Sequence, residues 1–259
     1  MKILIFTFFF FSLIGNIEAQ NNKENIKEIR RQFQWINNKS DFNKVVLENE
    51  EFTDEIPDEG CGLIGYYEKQ MLYKVVVDCI SSVNNFITEY YFKDDKLLFV
   101  FNKEEKFSGS LETGNQLSST TTFEERIYYA DDTIIRHLKK GASVLDTIID
   151  YQKNVGDILK YVNTKIKFED QFNLLQGIWK NTEDTNDWFE IRGLIADIYH
   201  HKDFPALNRI WYDGRYLWFH NTELPQTDDS KFELLELTDK NLELQNRLSG
   251  EVLFYKKIQ

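Results

Sequence analysis

Two cysteines, three prolines, two methionines and four histidines are all that 259 residues contain of these types. Two cysteines are too few for a zinc ribbon, and no H-E-x-x-H is present, so His137, His200, His201 and His220 form no recognisable metal motif. His200 and His201 are adjacent, and on a strand they point to opposite faces. G-x-S-x-G and S-x-x-K are also absent, which removes the common serine nucleophiles. Positive charge is scarce: 31 Lys and Arg stand against 43 Asp and Glu, for a net charge of −12. That balance argues against a phosphate backbone as partner and against anionic membranes. It favours solubility through self-repulsion.

Long apolar runs are missing too, beyond one at the start. Lys2 precedes Ile3–Ile14, which is nearly all Phe, Ile and Leu, and Ala19 offers a small residue for cleavage. A dozen apolar residues is short of the roughly 20 that a spanning helix needs. Residues 1–19 are therefore expected to be a signal peptide, and the mature protein to be exported, periplasmic or extracellular, with no membrane insertion. No cysteine follows the cleavage region, so a lipid anchor is not expected.

In an oxidising compartment the remaining pair, Cys61 and Cys79, invites a bridge. The pattern around it is a repeated one. Tyr66-Tyr67, Tyr90-Tyr91 and Tyr128-Tyr129 each run into a short polar turn and emerge into an apolar run. Aromatic and β-branched residues around such turns mark β-hairpins, and three in series make an antiparallel meander. Residues facing each other across a hairpin share a constant sum of numbers. A turn near Lys69-Gln70 gives about 139 or 140, and 61 plus 79 is 140. A Cys61–Cys79 disulfide is expected.

Ile26, Ile29, Phe33 and Ile36 define an amphipathic helix over Glu24–Asn37, whose stripe one face of the meander would bury. One Tyr of each pair then packs under the helix. The other is left on the opposite face, where an exposed aromatic row could meet a protein partner. Glu48–Glu59 reads as an acidic loop, and the Ser- and Thr-rich stretch Phe107–Thr122 as a long loop. From Ser143 to Phe172 the period becomes heptad-like through Leu145, Ile148, Gln152, Val155, Leu159, Val162 and Ile166, which predicts one connector helix.

The last part holds four of the five tryptophans and about eight short strands separated by turn signals, Asp213-Gly214 the strongest. Consecutive strands of this kind lose their edges by closing into a barrel. The expected class is α+β and β-rich. It comprises a signal peptide (1–19), a helix-on-meander domain (20–142), a connector helix (143–172) and a small up-and-down barrel (173–259).

Gly177-Ile178-Trp179 opening this Trp-rich segment resembles the lipocalins and their small bacterial lipocalin-like relatives. The resemblance covers the last third of the chain, in a segment much shorter than a full lipocalin. It implies an Arg from near the barrel's end packed over the Trp, and Arg247 is the candidate. Ile26–Phe33, Gly65-Tyr66-Tyr67 and Glu89–Phe92 through Leu97–Val100 resemble a group of secreted bacterial proteins of unknown function. That likeness implies a helix on an antiparallel sheet and brings no catalytic residues.

Chemistry is thin. Gly60-x-Gly62-x-x-Gly65 has dinucleotide-loop spacing, but a hairpin follows it where a helix is required, so no cofactor is expected. The acidic groups at Asp54–Glu59 and Asp184–Asp187 lack the glycine and terminal glutamate of a calcium loop. Trp179, Trp188, Tyr199, Trp211 and Trp218 could line a pocket, or fill the barrel's core. The expectation is an exported, non-catalytic binding module, for a small apolar ligand in the barrel or for an envelope or extracellular protein on the meander. The alternative is an exported hydrolase with a carboxylate pair.

Overall fold

The computed structural model describes residues 3–53, 58–108, 118–144, 150–200, 206–222 and 230–258, with side chains from Gln20 onward except that of His200. His201, Asp54, Glu55, Leu145 and Ile148 lie outside the described residues. Contacts divide the chain into two compact units. One holds Met1–Lys44, Tyr66–Asp78 and Val83–Thr147; the other holds Val45–Gly65, Cys79–Ser82 and Ile148–Gln259.

The chain begins with helix α1, Ile3–Asn38, so the expected amphipathic segment is the end of a longer helix. Strand β1 (Asn43–Glu48) follows, then a one-turn helix α2 (Asn49–Phe52). The meander comprises β2 (Cys61–Glu68), β3 (Met71–Ile80), β4 (Asn84–Lys93), β5 (Lys96–Ser108), β6 (Ser118–Ala130) and β7 (Thr133–Gly141). The sheet runs β1-β2-β3-β4-β5-β6-β7, in sequence order. β1 ends at Glu48, where the expected acidic loop begins, and α2 occupies the first residues of that stretch. Val45 and Leu47 of β1 are buried, and Glu48 and Glu51 form a reciprocal capping box on α2. Both ends of the expected long loop are strand, because β5 runs on to Ser108 and β6 starts at Ser118; the residues between them lie outside the described residues.

Each Tyr-Tyr pair lies just before a tight turn with positive φ at both central residues. The values are 49° and 66° at Lys69-Gln70, 52° and 60° at Asp94-Asp95, and 46° and 61° at Asp131-Asp132. Two left-handed residues in succession are the mark of the type I′ turn, whose twist matches that of paired strands. Ile29 and Ile36 of α1 pack with Phe42, Tyr91, Phe99 and Tyr128, and Phe33 and Tyr66 surround them. One tyrosine of each pair therefore faces the helix, as alternation requires.

The disulfide joins Cys61 and Cys79, with Cα atoms 4.1 Å apart. Backbone bonds link Ile80 to Gly60 and to Glu59, so the cysteines occupy the next, non-hydrogen-bonded pair. Opposed Cα atoms come closest at such sites.

The connector is two helices rather than one. α3 (Tyr151–Lys167) is capped by the Asp150 carboxylate on Lys153 N–H and runs through Gly156 unbroken. At Phe168 φ falls to −129°, and α4 (Glu169–Leu175) begins. Ser143 and Val144 sit before the helix; there the Val144 N–H and the Ser143 hydroxyl both donate to Glu104.

The barrel strands are β8 (Gly177–Asn181), β9 (Asp187–Arg192), β10 (Ile195–His200), β11 (Ala206–Tyr212), β12 (Tyr216–Asn221), β13 (Ser230–Leu237), β14 (Asn241–Asn246) and β15 (Val252–Lys257). They close into an eight-stranded up-and-down barrel, with β15 paired to β8. Register puts Trp179, Phe189, Tyr255, Leu242, Ile210, Leu217 and Phe219 on the inner wall, and all are buried. Each such side chain stabilises the fold by about 1.5–3 kcal/mol.

Candidate functional site

The five aromatic residues expected at a barrel pocket are not brought together. Trp179 alone points inward, and its Nε1–H donates to the Leu175 carbonyl at 2.7 Å. Around it the inner rings touch across the lumen. Phe189 lies 4.9 Å from Tyr255 and 6.3 Å from Phe219, which lies 5.4 Å from Phe232. Side chains thus occupy the lumen.

Trp188 and Tyr199 sit on the outer wall, stacked at 3.7 Å. Trp211 and Trp218 also lie outside, parallel at 5.5 Å. α3 covers Trp211 with Tyr161 and places Lys160 Nζ 4.3 Å from its ring. Lys231 Nζ stands 4.4 Å from the Trp218 ring, and Asp213 accepts from its Nε1–H at 3.0 Å. These rings are engaged by neighbours in cation–π and stacking contacts.

The cation over Trp179 is Lys257, 5.1 Å from the ring and bonded to the Leu174 carbonyl. Arg247, the expected residue, pairs with Glu233 instead, 3.1 Å away. It belongs to the turn after β14, while Lys257 is the register partner of Trp179.

The exposed tyrosine row is absent as well. Tyr90 and Tyr129, on the face opposite α1, are only 3% and 2% exposed. Burial pushes the Tyr90 hydroxyl far above its usual pKa. That face also holds Glu104 and Glu125, placed diagonally across β5 and β6. Glu104 accepts from Ser143 and from Val144 N–H, while Glu125 meets His137 at 2.6 Å and Lys139 at 3.0 Å. Both carboxylates serve as acceptors for nearby donors.

A groove does form beside α1. Arg31, Gln32 and Trp35 of the helix, Met71, Leu72 and Tyr73 of β3, and Lys93-Asp94 at the β4–β5 turn enclose about 410 Å³. α1 turns its Ile29–Ile36 stripe to the sheet, so Trp35, one position off that stripe, falls at its flank. Trp35 packs edge-on against Tyr73 at 5.3 Å and Phe42 at 6.0 Å, yet stays 43% exposed. Met71 opposite is 46% exposed, and Leu72 is buried. The type I′ turns set Met71 and Asp94 at the rim.

Glu28 bridges the two cations of the groove, meeting Arg31 at 2.5 Å and Lys93 at 3.3 Å. The hydrogen bonds from Arg31, and then from Lys93, hold its carboxyl below the usual range. The Tyr73 hydroxyl is pushed up, first by burial and then by the charges of Glu68 and Asp94. Among the described residues, the Trp35 indole N–H, the Gln32 amide, the Tyr73 hydroxyl and the Asp94 carboxylate make no side-chain hydrogen bonds. The sequence carried one sign of this site: Trp35 is the only tryptophan outside the C-terminal segment.

No family model matches the chain, and no curated protein or solved structure matches it.

Proposed function

We propose that this is an exported, non-catalytic binding module that takes its ligand in the α1–β3 groove, with the C-terminal barrel as a lipocalin-like scaffold. The groove carries the proposal. Two large apolar side chains, Trp35 and Met71, stand exposed over a buried floor beside polar atoms without partners. The volume falls in the range of about 300–1,000 Å³ usual for small-ligand sites. The filled lumen gives a carrier role for the barrel no support. The disulfide and the apolar leader favour an oxidising compartment outside the cytoplasm.

Native mass spectrometry of the protein purified from its own host tests this. The expected result is a co-purifying mass that is lost from the Trp35→Ala protein. A bound mass that survives Trp35→Ala would move the site elsewhere. An apo mass from both proteins, with nothing regained on exposure to host culture medium, would count against a binding role.

A further inference from the structure

Given that the groove is the binding site, its chemistry narrows the ligand. We propose that it takes a neutral carbohydrate chain.

A saccharide presents two surfaces at once: an apolar C–H face and a rim of hydroxyls that both donate and accept. The groove answers each. Trp35 and Tyr73 supply ring surface, and the Met71 side chain adds an apolar wall. The Trp35 indole N–H donates, the Asp94 carboxylate accepts, and the Gln32 amide and Tyr73 hydroxyl do both. These four groups are close together and hold no hydrogen bonds of their own among the described side chains.

Charge decides against other ligands of similar size. Arg31, Lys93 and Asp94 line the groove, and Glu28 pairs with both cations, so the four charges cancel. An anion would find Arg31 and Lys93 already neutralised by Glu28, with the Asp94 carboxylate beside them to repel it. A cation would meet both of them at the rim. A purely apolar chain would cover Asp94, Gln32 and the Tyr73 hydroxyl without replacing their water. A neutral polyhydroxyl chain with apolar faces avoids all three penalties.

The test is NMR of the full-length ¹⁵N-labelled protein, read at the indole N–H signals. Trp35→Phe identifies the Trp35 signal by its loss. The probes are the neutral tetrasaccharides of glucose, of mannose and of N-acetylglucosamine, and an uncharged leucine-containing tetrapeptide. The expected result is a saturable shift of the Trp35 signal with at least one tetrasaccharide, while the Trp218 signal stays in place. Gln32→Ala and Asp94→Asn, each with an otherwise unchanged spectrum, should weaken that binding at least tenfold. If the peptide moves the Trp35 signal and no saccharide does, the carbohydrate inference falls and the groove reading stands. If a saccharide moves other indole signals and leaves Trp35 unmoved, both fall. Silence from all four probes also overturns the carbohydrate inference.

Discussion

Thr164 of α3 and Tyr212 of β11 are joined through one hydroxyl. The Tyr212 backbone N–H donates to Thr164 Oγ1 at 3.0 Å, and the hydroxyl donates onward to the Lys160 carbonyl at 2.8 Å. Thr164 is wholly buried, so no water can stand in for it. Thr164→Val keeps the shape and removes the acceptor, leaving a buried N–H unsatisfied. The expected loss is about 1–3 kcal/mol, seen as a lower urea midpoint at unchanged slope. Thr164→Ser should recover most of it. Equal losses from Val and Ser would mean that packing, and not this bond, holds the helix to the strand.

The Cys61–Cys79 bridge closes a short loop, 18 residues in sequence separation. For a loop of that size, removing the cross-link frees unfolded-state entropy worth about 3 kcal/mol. The Cys61→Ser, Cys79→Ser double variant should therefore unfold at distinctly lower denaturant, and so should the native protein under reductant. In urea without reductant, neither thiol should react with iodoacetamide. A single alkylated cysteine under those conditions would contradict the pairing.

Asp213 gives the barrel a defined acid response. Burial by itself would raise its pKa, but bonds from the Tyr216 N–H, the Trp218 indole and the Arg215 N–H, with the charge of Lys231, hold it below the usual value. A carboxyl depressed on folding contributes stability that is fully present above its unfolded pKa and is lost as pH falls through the folded one. The wild-type protein should therefore lose more stability than Asp213→Asn between about pH 4 and pH 2. Denaturant midpoints of the two proteins over that range check it. Parallel curves would remove Asp213 from the acid response.

What could be read in the chain follows from where the physics is local. Type I′ turns and strand alternation act within a few residues, so the three Tyr-Tyr hairpins, the Cys61–Cys79 register and the eight barrel strands were visible. The break at Phe168 was not, because the apolar spacing of Val155, Val162 and Ile166 continues smoothly towards it and only the backbone turns. Lys257 over Trp179 was hidden for a different reason: their pairing depends on how β15 closes on β8, which is a non-local choice. The groove is the clearest case. Arg31, Gln32 and Trp35 are ordinary off-stripe helix residues until Met71–Tyr73 and Lys93-Asp94 arrive from two other hairpin segments.

The Lys69-Gln70 turn is strained where its two sister turns are less so. All three hold left-handed residues at both central positions. Asp tolerates that conformation through local hydrogen bonding, whereas a long side chain carries the Cβ clash of about 1–2 kcal/mol per residue. Lys69→Asn with Gln70→Gly supplies the preferred type I′ pair. The glycine gives part of the gain back, because it loses about 0.5–1 kcal/mol more backbone entropy on folding than alanine. The net expectation is a gain of about 1 kcal/mol, read as a higher urea midpoint at unchanged slope. The same Asn-Gly pair in place of Asp131-Asp132 should gain clearly less. An equal gain at both turns would mean that side-chain identity does not set the strain, and a loss at Lys69-Gln70 would mean that the turn there is not type I′. Because this turn delivers Met71 and Tyr73 to the groove, the stabilised variant should also keep the Trp35 indole signal at its native position.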